Sequence, residues 1–284
     1  MDSLPPGLAE RARAFLRGEV DVVPARHAAT VVLLRDGRSG LEVYLLRRLA
    51  SMAFAAGMHV FPGGSVDERD SDPPPSWAGP GAAAWAATLG CAEPLARALV
   101  RAAVRETFEE SGVLLAGPSA ADVVADTTGE AWETDRLALL DRSVSLSALL
   151  ERRGLVLRSD LLRAWAHWIT PEFEPRRFDT RFFVAAVPRG QRARDISGEA
   201  DLAVWLPVAD VIRRVGAGEL GMLPPTIIAL RELAAYDSLA EVLAAQPRVF
   251  PVQPRPVVVG DDVGLVVDGP DGEVFAEDLV RARA

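Results

Sequence analysis

The chain has 284 residues, 49% of them hydrophobic, which is enough to bury a sizeable core in one large domain or two small ones. Its formal net charge of −9 and pI of about 5.0 argue against a nucleic-acid partner, because such binding needs a basic surface. All 31 basic residues are arginine, so mechanisms that need a lysine nucleophile or a P-loop lysine are excluded. The one cysteine, Cys91, excludes an internal disulfide and a cysteine-cluster zinc site.

The hydropathy pattern gives no sign of a membrane partner. No uninterrupted apolar run approaches the roughly 20 residues that a membrane-spanning helix needs. Residues 1–17 lack the basic start and apolar centre of a secretory signal. We therefore expect a soluble, cytoplasmic protein.

The first part of the chain predicts a short helix and then strands. These elements are a helix at residues 8–15 and strands at 28–34, 41–47 and 58–61. The Val-rich run 28–34 is typical of a strand buried on both faces. Gly63 and Gly64 follow the third strand, and two glycines here allow backbone N–H groups to approach a phosphate.

A long helix is predicted at residues 95–111, which contain neither proline nor glycine. Pro94 suits its first turn and Gly112 suits the position after its end. Glu106, Glu109 and Glu110 stand at i, i+3 and i+4 and therefore share one face.

Those three carboxylates continue an apolar stripe formed by Leu95, Leu99, Ala102 and Ala103 one or more turns earlier. A helix face that is merely solvated would not share its stripe with leucines. Crowded carboxylates repel one another unless a cation lies between them, and oxygen ligands suit Mg²⁺ or Mn²⁺. The pattern therefore indicates a metal site.

The remaining half of the chain alternates helical and extended segments. Residues 119–165 predict a mainly helical insertion, with helix-like stretches at 135–141 and 144–152, followed by residues 159–165. Further strands are predicted at 113–115, 165–169 and 180–187, and helices at 208–215 and 226–236. The tail, residues 246–284, predicts a hairpin around Gly269 and Gly272. Two roles are open for this tail: covering a sheet edge, or pairing with a second subunit in a homodimer.

Two groups of side chains in this half have alternative interpretations. Arg176, Arg177 and Arg181 are either surface charge that balances the 40 acidic residues or ligands for phosphate, which guanidinium groups suit. The spacing of the aromatic residues is typical of core, and stacking against a base is the alternative. These aromatic residues are Trp165, Trp168, Phe182 and Phe183.

The run from Arg105 to Val113, preceded by Phe-Pro-Gly-Gly at residues 61–64, resembles the Nudix hydrolase superfamily. Its box reads G-x5-E-x7-R-E-U-x-E-E-x-G-U, where U is a bulky apolar residue. The matching residues are Gly64, Arg105, Glu106, Glu109, Glu110, Gly112 and Val113. Thr107 stands where an aliphatic residue is usual.

The spacing within this box departs from the superfamily pattern. Gly64 and Arg105 are 41 positions apart, where the pattern has 14, so residues 65–92 form a box insertion. Asp70 falls at the first acidic position, and Glu93 or Asp67 are alternatives for that role. The insertion is rich in Pro and Gly, so it is either an irregular surface loop or a lid beside the active site.

A similar interruption occurs in the nudix motif 19 branch, which includes coenzyme A diphosphatases. The run from Arg48 to Gly64 resembles that branch, and so does the run from Arg177 to Phe183. The segment 198–207 resembles the Nudix strand in which an acidic residue precedes a tryptophan, which makes Glu199 a candidate metal ligand or base.

The resemblance implies an α/β fold, a Nudix-type α/β/α sandwich with a mixed sheet, formed by residues 1–284 as a single domain. It implies hydrolysis of a diphosphate linkage in a small-molecule nucleotide derivative. Glu106, Glu109 and Glu110 are the expected catalytic and metal-binding residues, with Arg105 in support. Phosphate contacts are expected from Gly63, Gly64 and the arginines Arg48, Arg177 and Arg181.

Coenzyme A or an acyl ester of it is one expected substrate, and ADP-ribose and NADH are others. In the better-known coenzyme A signature a second arginine stands eight positions before the Phe of Phe-Pro-Gly-Gly, where this chain has Ala53. A binding module that senses a nucleotide without cleaving it is the alternative from another class. A structural role, with the acidic residues on a surface, is a third.

Overall fold

The computed structural model of the chain describes residues 4–52, 55–72, 76–194, 198, 200–260, 262–269 and 272–275. Two predictions lie outside these residues: Glu199 as a metal ligand, and the turn at 270 and 271 of the C-terminal hairpin. No helix in the described ranges combines the length and the hydropathy that are needed to span a bilayer.

The described ranges contain eight α-helices: α1 Pro6–Leu16, α2 Ala82–Leu89, α3 Glu93–Ser111, α4 Glu130–Leu140, α5 Leu146–Arg152, α6 Val208–Gly216, α7 Pro224–Leu233 and α8 Leu239–Ala244. Helix α3 has the predicted start and end. Pro94 lies in its first turn, and Gly112 after its end has a φ of 73° and donates its N–H to the Phe108 carbonyl at 2.9 Å.

A mixed sheet forms the centre of the fold. Its strands are β1 Arg26–Gly37, β2 Gly40–Arg48, β3 His59–Val60, β4 Gly63–Ser65, β8 Arg163–Ile169, β9 Phe178–Ala186, β10 Ala200–Pro207 and β11 Pro251–Val252. The order is β10-β2-β1-β9-β8-β11, with β3 paired to β2 and β4 paired to β1. β1 and β9 are parallel, whereas β1 is antiparallel to both β2 and β4.

Helices cover both faces of this sheet, as the apolar run in β1 predicts. Val31 and Leu33 face a cluster that includes residues of α2 and α3. Val32 and Leu34 alternate to the opposite face and pack in a cluster with residues of α6, α7 and α8. The predicted α/β/α sandwich with a mixed sheet is therefore confirmed.

The insertion at residues 119–165 is only partly helical. Helices α4 and α5 are present, but β7 Val156–Arg158 follows them and joins a small sheet with β5 Trp77–Ala78 and β6 Ala116–Gly117. Residues 159–165, the last part of the insertion, form a 3₁₀ turn at Ser159–Leu161 that leads directly into β8. The strand expected at 113–115 is also displaced, because ladder pairing begins at Ala116.

The described part of the box insertion, residues 65–72 and 76–92, contributes a helix to the hydrophobic core. Its helix α2 packs on the sheet face that α3 also covers, and Trp85 is buried at 4% exposure. The Trp85 ring meets Phe183 edge-on with centroids 5.7 Å apart. Trp85 and Leu89, four residues apart in this alanine-rich helix, share the face that packs on the sheet.

The two ends of the described chain pack against each other. The C-terminal sheet consists of β12 Arg255–Val259, β13 Asp262–Gly269 and β14 Gly272–Phe275, and β13 pairs with β14 as the predicted hairpin. Ala12 of α1, Phe173 and Val263 of β13 are buried together, with Leu8 and Leu265 packed against them. The N-terminal helix and the C-terminal sheet therefore form one packed unit beside β8.

Candidate active site

A cavity of about 1250 Å³ lies at the junction of β1, β4, β9 and α3. Its wall contains seven of the residues predicted to act on or bind a substrate: Arg48, Gly63, Gly64, Arg105, Glu106, Glu109 and Glu110. The fold thus brings together two sequence segments that are separated by the box insertion.

Arg105 holds the acidic residues of this wall in place. Its Nη1 donates to Glu106 Oε1 at 2.8 Å and to both carboxylate oxygens of Glu109 at 3.3 Å. Its Nη2 also donates to the Ser65 carbonyl at 3.0 Å. One guanidinium therefore connects α3 with the end of β4 and orients two of the predicted glutamates.

Asp70 is the main partner of Arg105 and is 2% exposed. Its two carboxylate oxygens accept from Arg105 Nε at 3.0 Å and from Nη2 at 2.9 Å, a bidentate pair. One helical turn earlier, Arg101 Nη1 donates to the Asp70 carbonyl at 2.7 Å. Of the three acids considered for the first acidic position of the box, Asp70 is the one that contacts Arg105, and it does so as an ion-pair partner.

The two glycines let β4 pass close to α3. The Gly63 N–H donates to Glu110 Oε2 at 2.8 Å, so this carboxylate is oriented by backbone. A Cβ added at Gly64 would lie 2.4 Å from Glu106 Oε1, and one at Gly63 would lie 2.5 Å from the Ala29 carbonyl oxygen. At Gly63 the obstacle is backbone, so glycine is required there, whereas at Gly64 a side chain would displace the Glu106 carboxylate.

Burial and the charges of neighbouring side chains shift the pKa values of Glu106, Glu109 and Arg105. Burial raises the pKa of Glu106 to about 7, and the neighbouring Glu109 charge adds to the rise while Arg105 opposes it. Burial also raises the pKa of Glu109. Burial disfavours the charged form of Arg105, but its hydrogen bonds to Asp70 and the charges of Glu106 and Glu109 raise the pKa of Arg105 overall.

Arg177 and Arg181, predicted to bind phosphate, do not line the cavity. Arg177 donates to the carbonyls of Thr170 and Val23, which ties strand ends together. Arg181 forms an ion pair with Asp179 and contacts His167. Strand alternation explains the difference, because Phe178, Thr180 and Phe182 of β9 reach the cavity and Arg181 therefore points to the opposite face. Both guanidinium groups are therefore paired within the fold and away from this cavity, and a substrate-binding role for these two arginines stays a prediction.

A family model described as the NUDT19 Nudix domain matches residues 73–233, more than half of the chain. The chain belongs to the NUDT19 Nudix family. Among solved structures, the NUDIX hydrolase from Alicyclobacillus acidocaldarius is similar, with 31% identity and a TM-score of 0.67. That match covers 79% of this chain and 98% of the solved chain. The resemblance to the Nudix superfamily and to the branch with an interrupted box is confirmed.

Two vertebrate relatives carry the name acyl-coenzyme A diphosphatase NUDT19. The one from Gallus gallus is 27% identical over 244 residues, which cover 72% of this chain and 64% of the relative. The one from Homo sapiens is 26% identical over 239 residues, which cover 72% and 63%. The chain therefore spans less than two thirds of the length of these relatives.

Nudix hydrolases use divalent metal cations, and the donor set of this NUDT19-type site fits one chemically. Three carboxylates, those of Asp70, Glu106 and Glu109, pair with the single Arg105 guanidinium, and a fourth, Glu110, accepts from the Gly63 N–H, so negative charge is in excess. In the described ranges no three acidic, histidine or cysteine side chains converge on a common point. A cation at this wall would therefore require the glutamate side chains to rotate from Arg105 and the Gly63 N–H.

Further arginines line the cavity: Arg176 belongs to the cluster for which phosphate binding was one interpretation, whereas Arg69 and Arg142 were not predicted from the sequence. Arg176, the immediate neighbour of Arg177, lies on the cavity wall, and so do Arg69 and Arg142. Arg69 pairs with Asp67 at 2.9 Å. The two-residue strand period, carried back from Thr180 through Phe178, reaches Arg176 and not Arg177. Nothing in the sequence near Arg142 indicates the site.

The aromatic residues divide between core and cavity. Trp168 and Phe182 line the cavity as well as packing in the core, which keeps the stacking alternative open for both. Trp165 and Phe183 are buried in the two hydrophobic clusters and are absent from the wall.

Proposed function

We propose that this chain is a metal-dependent hydrolase that cleaves the diphosphate linkage of a nucleoside diphosphate derivative. The observation that carries the proposal is the arrangement of Glu106, Glu109 and Glu110 on one cavity wall, held by Arg105 and the Gly63 N–H. A surface role for these acids is disfavoured, because buried carboxylates are costly unless they are paired or bind a cation.

Each residue has a distinct role in this proposal. Glu109 and Glu110 would hold Mg²⁺ or Mn²⁺, with Glu106 as a further ligand or as the base that orients water. A divalent cation supplies positive charge for the phosphate oxygens and lowers the pKa of coordinated water. Arg105 positions the glutamates, with Asp70 as its counter-ion. Water adds to one phosphorus atom, the bridging P–O bond breaks, and the other phosphate leaves.

Coenzyme A and its acyl esters are the substrate class that we propose. Support comes from the name of the two NUDT19 relatives, acyl-coenzyme A diphosphatase. Cleavage would give a phosphopantetheine half and adenosine 3′,5′-bisphosphate. Arg48, Arg142 and Arg176 on the cavity wall are suitable contacts for the additional phosphate. We also propose that the chain acts as one domain, since residues from Pro5 to Leu265 contribute to the same cavity.

The test is a panel of substrates with and without Mg²⁺ or Mn²⁺. Coenzyme A, lauroyl-coenzyme A, 3′-dephospho-coenzyme A, ADP-ribose and NADH would be compared by kcat/KM, with products identified by chromatography. We expect metal-dependent cleavage with a preference for substrates that carry the 3′-phosphate. A preference for substrates without it would reject the coenzyme A assignment, and tight binding without any product would favour the sensor alternative.

A further inference from the structure

The cavity continues well past the acidic wall. Four residues that line it stand side by side across the sheet: Ser65 of β4 pairs with Ala28 of β1, Ala28 with Thr180 of β9, and Thr180 with Trp168 of β8. Since neighbouring strands are about 4.8 Å apart, these three steps span roughly 14 Å. The floor therefore accommodates an extended ligand, of which a diphosphate would occupy one end.

The end of the cavity beyond Trp168 includes a group of apolar side chains. The chain leaving β8 contributes Ile169 and Phe173, and the packed unit of α1 and β13 contributes Leu8 and Leu265. The ion pair between Arg11 Nη2 and Glu174 Oε1, at 3.0 Å, joins α1 to the segment after β8 at this end. The elements that supply Leu8 and Leu265 lie outside the residues 73–233 that match the family domain.

From this geometry we infer that Leu8 and Leu265 form a subsite for an apolar group. This group lies at the end of a substrate arm that extends from the diphosphate linkage. The inference rests on the proposed function and adds a residue-level basis for specificity. The occupant is an alkyl or acyl group at the end of a long flexible arm. Three features support this occupant: the roughly 14 Å floor, the aliphatic side chains at its end, and the continuity of this end with the acidic wall.

The experiment measures kcat/KM for coenzyme A and its acetyl, octanoyl and lauroyl esters, with ADP-ribose as the reference without an apolar arm. Leu8→Ala and Leu265→Ala should each lower the ratio of lauroyl-coenzyme A to ADP-ribose by about five- to tenfold, because a buried aliphatic contact is lost. Leu8→Phe should shift the preference toward shorter acyl chains. This directional change would not follow from a loosened fold.

Matched controls are available in the same elements. Leu16 of α1 is 44% exposed and Val258 of β12 is 69% exposed, and neither lines the cavity. Leu16→Ala and Val258→Ala should leave the acyl-chain profile unchanged, and melting temperatures would be recorded for every variant.

The outcomes separate the inference from the proposed function. If the wild-type chain hydrolyses no diphosphate substrate, the proposed function fails and the inference fails with it. If hydrolysis occurs but Leu8→Ala, Leu265→Ala and Leu8→Phe keep the wild-type chain-length profile, the inference alone is overturned. An equal loss for ADP-ribose and all coenzyme A esters would also overturn it, because this end of the cavity would then bind the nucleotide.

Discussion

Arg105 is the residue on which the acidic wall depends. It bonds to Asp70, Glu106 and Glu109, and it reaches the Ser65 carbonyl on β4. Because these four charged side chains are largely buried, loss of Arg105 would leave three carboxylates without a positive partner. Most of the chemistry at this scale was predictable from the Glu spacing, since helix geometry dictates that i, i+3 and i+4 share a face.

The first prediction concerns the proposed ligands. Glu109→Gln and Glu110→Gln should each lower kcat by at least about a hundredfold at saturating Mg²⁺, because each removes the charge that a cation needs. Glu93→Gln, in the exposed first turn of the same helix, is the matched control and should retain activity. Unchanged kcat in both site variants, with folding verified by circular dichroism, would remove the metal-site proposal.

A second prediction follows from the pKa of Glu106, which burial raises to about 7 from an ordinary value of 4.5. Between these two pH values the folded state binds more protons than the unfolded state, so this group stabilises the metal-free protein at low pH and loses that effect as the pH rises through 7. Glu106→Gln should flatten this dependence.

Thermal unfolding in EDTA from pH 5 to 8 would measure the difference between the wild type and Glu106→Gln. The wild-type melting temperature should fall relative to that of the variant as the pH rises. Mg²⁺ should bind more tightly at higher pH, because binding requires the ionised carboxylate. If the melting temperatures of the two proteins changed in parallel with pH, the pKa of Glu106 would not be raised.

At the scale of elements, β4 and α3 define the site by their close approach. Gly64→Ala should displace the Glu106 side chain and reduce activity more than stability, since a flexible carboxylate can move. Gly63→Ala should reduce the free energy of unfolding by about 1–3 kcal/mol, because its Cβ would meet the backbone of β1.

The control for both glycine variants is Gly81→Ala, whose Cβ would meet nothing within 4 Å. Urea denaturation and kcat measured on the same preparations would compare the three proteins. If Gly63→Ala and Gly81→Ala have equal stability, the close packing of β4 on β1 is not required.

The box insertion gives the fourth prediction. Trp85→Ala should lower the free energy of unfolding by about 3–5 kcal/mol, since it leaves a cavity beside Phe183 in the main core. Thr88→Ala, on the exposed face of α2, is the control. If the variant lost less than about 1 kcal/mol of unfolding free energy in urea denaturation, the insertion would be a peripheral loop and not part of the core.

Some elements could not be predicted from the sequence, and the reasons are physical. Strand β7 and the two-residue strands β5 and β6 exist through long-range pairing, for example Trp77 with Leu157, which local periodicity does not encode. The direction of Arg177 and Arg181 depends on the register of β9 against β1. By contrast, the continuous apolar run at residues 28–34 was sufficient to predict a strand that is buried on both faces of the sheet.

At the scale of the whole molecule, the terminal elements determine how far the domain extends. The α1 helix, Phe173 and β13 share one buried cluster, and Phe15 and Phe173 have ring centroids 6.4 Å apart. We therefore predict that the chain unfolds in one transition, seen together by tryptophan fluorescence and far-ultraviolet circular dichroism. Separate transitions would indicate that the terminal unit is an independent domain. The homodimer and the cytoplasmic location stay predictions.

Asp70 is attached to α3 at two points, and this attachment bears on how much the length of the box insertion can vary. Its carbonyl is bound by Arg101 and its carboxylate by Arg105, so the start of the insertion is anchored to α3 before the chain departs. Lengthening a flexible loop costs only about 0.6 kcal/mol for each doubling. Segments of very different length between Asp72 and Glu93 are therefore compatible with one carboxylate geometry. Foreign sequence spliced in after Asp72 should leave the hydrolytic centre intact, provided that α2 keeps its place on the sheet.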